Sequence, residues 1–215
     1  MSENRYTRGL PRWRRALLYV GSTLNAVAIG HQPKAYIITS TALKFHLQDP
    51  LAFDIRDVAE ALAKIPRFTG HSSPRHWYSV ADHCRLVASL LPDHLKFEGL
   101  MHDGHEAFVN DIASPAKYVL PDYVRLENRV SRAFRRWYDL PRELSTEVEQ
   151  ADQQACDLER GVAMPYSPHW PMPKILTTAP DTALYFESDD WRQSRRMFLD
   201  AFYRFDILRN QTSCN

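Results

Sequence analysis

A recurrent helical period in the apolar residues constrains this chain more than any other feature. After Ser79, a good helix-capping residue, Val80, Cys84, Val87, Ala88 and Leu91 fall at i, i+4, i+7, i+8 and i+11. That is the stripe of a helix buried along one face, and Pro92-Asp93 closes it. The period recurs at 122–139 through Leu126, Val130, Ala133, Phe134 and Trp137, and at 143–162 through Val148, Ala151, Ala155 and Leu158. Asp57 reads as the cap of a helix over DVAEALAKI, ended by Pro66, and 189–205 reads as a last helix. Another is expected from about His94 to Phe108, with Phe97, Leu100, Met101 and Phe108 on its packing flank. Only YIITSTALKF (36–45) has the β-branched and aromatic enrichment of a short strand or extended piece. The expected fold is all-α, a helical bundle with a short extended segment before the core.

The chain has 215 residues, enough to bury roughly 70% of its unfolded surface in one domain. Residues 1–35 read as an N-terminal appendage ending in Gly30-His31-Gln32-Pro33, and 36–215 as the folded domain. The apolar run at 16–30 follows a basic cluster, but Ser22, Thr23 and Asn25 interrupt it, and it is too short to span a bilayer. A formal net charge of +1 removes any bulk electrostatic case for a nucleic-acid or membrane partner. Arg125, Arg129, Arg132 and Arg136 do form a helical stripe, read as a solvated or subunit-facing surface. Cys84, Cys156 and Cys214 lie far apart and outside any C-x-x-C pattern, which fits a reducing cytoplasm.

Polar residues in apolar phase carry the chemistry. Gly99, His102, Asp103 and Glu106 sit at i, i+3, i+4 and i+7, placing an imidazole and two carboxylates on one helical stripe. His83 lies between Val80 and Val87, and Asp152 between Val148 and Ala155, so both should point inward. For each alone, a satisfied core hydrogen bond is the competing explanation, and for His102-Asp103-Glu106 a solvated helix face. A divalent cation explains the combination more economically, since it offsets the cost of burying imidazole and carboxylate together.

The order H…HD…D resembles the HD-domain superfamily of metal-dependent phosphohydrolases, which are all-helical. RFTGH (67–71), YSVADHC (78–84), MHDGHEAFVNDIASPAK (101–117) and EQADQQACDLE (149–159) resemble the YfbR-type 5′-deoxynucleotidases and the phage DatZ-type dATP triphosphohydrolases. The likeness covers about residues 36–160. It implies that His83, His102, Asp103 and Asp152 hold the metal and that Glu106 is the general base. It places Asp111 near the substrate sugar or leaving oxygen, and Arg67 and Lys117 as cations facing phosphoryl oxygens. Phe68 stands where the bacterial enzymes carry Trp. His71, His76 and Trp77 lie in the same loop and either line the pocket or serve as lid or packing, whereas His105 belongs to the apolar flank.

The resemblance implies hydrolysis of a deoxynucleotide phosphoester, either releasing phosphate from a monophosphate or triphosphate from a substrate such as dATP. Co²⁺, Mn²⁺, Zn²⁺, Fe²⁺ and Mg²⁺ all suit such ligands. The expected partners are a small-molecule deoxynucleotide and further copies of the chain, with no stable nucleic-acid partner. The competing expectation is a non-catalytic HD scaffold that binds nucleotide or nucleic acid.

Overall fold

A computed structural model describes residues 35–72, 77–165, 167–169 and 188–212. The appendage expected over 1–35, except its last residue, lies outside the described residues, as do His76 and most of the proline-rich connection before 188. The described part is mostly helical, as the apolar periodicity requires. The extended segment is a hairpin rather than one strand. β1 (Tyr36–Ile38) pairs antiparallel with β2 (Lys44–His46), and Ala42 turns between them at φ 62°.

The first helix, α1 (Ile55–Lys64), is capped by Asp54, whose side chain accepts from Arg56 N–H. Asp57, expected as that cap, instead lies buried in the first turn. It accepts from Ser40 Oγ at 2.6 Å and from Thr41 N and Oγ1 at 2.8 and 2.7 Å, pinning the hairpin turn to α1. In α2 (Val80–Ser89) the cap is Ser79, as expected, in a reciprocal capping box with Asp82. Asp82 is fully buried and also accepts from Ser188 Oγ and Ser194 Oγ, which ties the start of α2 to the start of the last helix.

The single helix expected over 94–108 is divided into α3 (Lys96–Met101) and α4 (Glu106–Val109). Between them the chain tightens into i→i−3 bonds, Gly104 N–H to Met101 O and Glu106 N–H to Asp103 O. Gly104 explains why the turn fits: a Cβ there would collide with the fully buried ring of Phe134. Gly99 likewise has no room for a side chain, because a Cβ would run into Leu91 and sit 3.3 Å from Ala88 Cα on α2. Both glycines permit close approach, and Gly99 is what lets α3 lie against α2.

The remaining helices are α5 (Ser114–Lys117), α6 (Pro121–Trp137), α7 (Thr146–Ala163) and α8 (Trp191–Thr212). Helix α2 is central and packs against α1, α3, α7 and α8. One side of it enters a large apolar cluster with Phe45, Phe53, Leu62, Leu100, Phe134 and Phe198. The other side enters a smaller cluster with Tyr78, Val148, Ala151 and Ala155. A buried ion pair braces this arrangement: Arg135 of α6 reaches Glu98 of α3 at 2.8 Å, and Glu98 also accepts from Ser145 N and Oγ at the start of α7. The four exposed arginines of α6 face solvent in the single chain. No helix among the described residues is long and apolar enough to cross a membrane.

The close fit of Gly104 against Phe134 predicts that Gly104→Ala destabilises the fold by about 1–3 kcal/mol through overpacking. Urea denaturation measures it, and an unchanged midpoint would contradict this packing.

Candidate metal centre

Four side chains meet where α2, α3 and α7 converge. The Nε2 atoms of His83 and His102 stand 3.3 Å apart. Asp152 Oδ1 lies 3.0 Å from His83 Nε2 and 3.8 Å from His102 Nε2. Asp103 Oδ2 lies 3.0 Å from His102 Nε2 and 3.6 Å from His83 Nε2. Both imidazoles are buried, while Asp103 and Asp152 keep partial contact with solvent. Helical phase thus buried His83, while Asp152 faces it with its side chain 43% exposed, and both imidazoles lie within 3.8 Å of Asp103 and of Asp152.

His83, His102 and Asp152 are close enough to share one ion, and Asp103 lies close to His102 and Cys84. Ligand atoms at about 2.1 Å from a small divalent ion sit roughly 3.0–3.5 Å from their neighbours. The outer nitrogens are fixed as well: His102 Nδ1 donates to Gly99 O at 2.8 Å, and His83 Nδ1 meets Glu159 Oε1 at 2.5 Å. Each Nε2 thus faces the common centre, and these side chains could hold a divalent cation.

The electrostatics show how much the cluster wants positive charge. Burial and Arg67 both oppose a charged His83, yet Glu159 and Asp152 outweigh them and hold its pKa above the ordinary value. His102 is likewise buried, and Asp103 lifts its pKa well up. The imidazoles hold Asp103 and Asp152 below the usual carboxylate range against burial. Cys84 offers another donor beside His102 and Asp103, but burial pushes its thiol up to about 11. In the metal-free chain that favours the protonated thiol.

Around this centre lie the other expected residues. Glu106 opens α4 fully enclosed, and its Oε2 has no hydrogen-bond partner among the described residues. Burial, then the charges of Asp103 and Asp111, raise its pKa well above the ordinary value. Arg67 bridges Asp111 Oδ2 at 3.3 Å and Glu159 Oε2 at 3.0 Å, leaving Nε buried and unpartnered. Burial pushes Asp111 up, with Arg67 opposing and Asp103 assisting. Lys117 donates to Glu127 at 2.7 Å and senses the charges of Glu106 and Asp103.

The 67–70 turn that presents Arg67 is unusual. Phe68, Thr69 and Gly70 are all left-handed, at φ 54°, 56° and 80°. For Phe and Thr this costs on the order of 1–3 kcal/mol each, offset by neighbouring restraints. Pro66 bridges Ser79, Arg67 N–H donates to Tyr78 O, and the Arg67 side chain is gripped by two carboxylates. Phe68 packs beside the smaller apolar cluster.

Not every expected residue reaches the centre. His71 is exposed at the end of the turn, and among the described contacts none ties its ring to the metal ligands. Trp77 is pinned elsewhere, its Nε1 donating to Ala63 O at 2.9 Å. His105 is buried, its Nδ1 unpartnered and its pKa lowered by burial, as suits a neutral packing residue. A mostly apolar cavity of about 520 Å³, walled by Leu47, Ile65, Asn110, Tyr123 and Leu126, touches this region through Glu106.

Two residues of the cluster escaped the sequence reading. Glu159 is fully buried and accepts from Tyr78 Oη at 2.7 Å in addition to His83 and Arg67. A signal for it existed, because it lies seven residues after Asp152 and so on the same helical face. Tyr78 carries no such signal, since its role depends on the fold alone.

The fold and this cluster define an all-α protein with a candidate divalent-metal centre. The chain belongs to the family of YfdR, an uncharacterized protein of Escherichia coli, to which it is 40% identical over 132 residues, 61% of this chain and 71% of that protein. It is also 29% identical over 114 residues to an uncharacterized protein of Rhodobacter capsulatus, covering 49% of this chain and 58% of the relative. No family model matches the chain.

The raised pKa of Glu106 makes a signed prediction for the metal-free chain. A carboxyl that binds its proton more tightly when folded stabilises below its unfolded pKa of about 4.5, and that contribution is lost as pH rises through the folded value. Glu106→Gln removes the penalty, worth about 1.4 kcal/mol per unit of elevation. The chelated variant should therefore resist urea better than the parent at pH 7, with the gap closing toward pH 4. Equal stability at both pH values would contradict the burial of an ionisable Glu106.

Proposed function

We propose that this chain is a divalent-metal-dependent phosphohydrolase acting on deoxynucleotides, like the HD-domain enzymes its motifs resemble. The observation that carries this is the meeting of His83 and His102 Nε2 at 3.3 Å between Asp103 and Asp152, with Glu106, Asp111 and Arg67 around them. Bound there, a divalent cation supplies Lewis-acid polarisation of a phosphoryl oxygen and a lowered pKa for water.

The chain's own residues supply the rest. Glu106, enclosed beside Asp103 with Oε2 unpartnered among the described residues, takes a proton from the attacking water. Arg67, its guanidinium held by Asp111 and Glu159, opposes the negative charge that gathers on the phosphoryl oxygens. Asp111, paired with Arg67, lies near the substrate sugar or leaving oxygen, where it recognises the 3′-hydroxyl or donates a proton. Lys117, held by Glu127, adds a second cation on the Glu106 side. Phe68 offers a ring to the base or sugar. The enzyme works as a homo-oligomer in the cytoplasm on a free nucleotide, from which it releases either phosphate or tripolyphosphate.

Phosphate and tripolyphosphate release from a panel of dNMPs, dNTPs and ribonucleotides, with Mn²⁺, Co²⁺, Zn²⁺ and Mg²⁺ in turn, tests this. His102→Ala and Asp103→Ala should lose both turnover and metal uptake while remaining folded. Glu106→Ala should keep the metal and lose about 10²–10⁴-fold in rate. Full activity in His102→Ala or after chelation, or no hydrolysis by the parent with any ion, would overturn the proposal.

A further inference from the structure

The hydrogen bonds around Glu159 join two parts of the site that the chain supplies from different elements. Oε1 lies 2.5 Å from His83 Nδ1 and 2.7 Å from Tyr78 Oη, and Oε2 lies 3.0 Å from Arg67 Nη2. Nothing else about the carboxyl is exposed, and it is as buried as any side chain in the protein. A carboxylate only accepts, so its bond to His83 requires the imidazole proton on Nδ1. That leaves the Nε2 lone pair bare, on the side where Asp152 and His102 stand at 3.0 and 3.3 Å. The opposite oxygen sets the plane of the Arg67 guanidinium, whose other arm meets Asp111 at 3.3 Å.

Stability alone is a weak explanation for this network. A buried ion pair often stabilises no more than apolar side chains of the same volume. Fixed tautomers and planes are what such a network does supply.

We infer that Glu159 is a positioning residue that sets two things at once, the metal-facing nitrogen of His83 and the phosphoryl-facing edge of Arg67. This rests on the metal-dependent role proposed above. Metal affinity and substrate affinity are then linked through one carboxylate that touches neither ligand. Glu159→Gln weakens both, because the amide loses the negative charge that His83 and Arg67 share and presents one acceptor and one donor end. It can accept from His83 or from Arg67, not from both.

Three measurements test this. In ¹⁵N-histidine-labelled wild-type protein loaded with Zn²⁺, long-range ¹H–¹⁵N spectra should show His83 protonated at Nδ1 and bound through Nε2. In calorimetry with Mn²⁺, Glu159→Gln should lose about 10–100-fold in affinity, and its KM should rise as well. A proton on Nε2 of His83 overturns the inference, and because that experiment uses the wild type it decides the matter even if the variant fails to fold. So does a folded Glu159→Gln chain with wild-type Mn²⁺ affinity and KM. A wild-type chain that takes up neither ion overturns the metal-dependent role itself, and the positioning role with it.

Discussion

Burying His83 at the centre of the molecule is the constraint on which the rest of the structure depends. Helix α2 runs between two apolar clusters, and an imidazole in that position has no water to turn to. Its two nitrogens are met from opposite sides, Nδ1 by Glu159 of α7 and Nε2 by Asp152 of the same helix with Asp103 of the turn after α3. Those partners dictate where α7 and the 102–105 turn must lie. Gly99 allows the approach of α3, and the Glu98–Arg135 pair holds α3, α6 and the start of α7 in one frame. The centre is therefore framed by packed helices and by the 102–105 turn between two of them.

The same constraint explains the tension around the centre. Glu106 is enclosed with an unpartnered oxygen and neighbouring negative charge, and Phe68 and Thr69 hold left-handed conformations. Each of these works against folding. Apolar clusters on both sides of α2 and the Asp82 hub at its start carry that load. Local strain concentrated beside an otherwise well-packed core is the pattern expected of a working site.

The helical elements were legible because apolar period survives in a single sequence. Ser79 announced its helix, and the phase of Val80, Cys84 and Val87 turned His83 inward. The break at 102–105 was not legible, since its cause is the Phe134 ring packed against Gly104 from a distant helix. Asp57 misled for a related reason: its side chain answers to Ser40 and Thr41, so the cap passed to Asp54. Helical phase pointed His83 and Asp152 toward the interior, the four candidate ligands came as a set only from the family resemblance, and Glu159 could have been read from its position two turns beyond Asp152. The hydrogen bonds that give Glu159 its place, to Tyr78 and Arg67, exist only once those two residues lie beside α7.

The central claim is that two imidazoles and two carboxylates gather to hold one divalent cation. X-ray absorption at the zinc edge of the loaded protein tests this directly, because it reports the atoms around the ion. A shell of nitrogen and oxygen at about 2.0–2.2 Å with imidazole scattering from two histidines is the expected result. Sulfur at about 2.3 Å would place the ion on Cys84 instead, and an ion bound without histidine, or no bound ion, would contradict the claim outright.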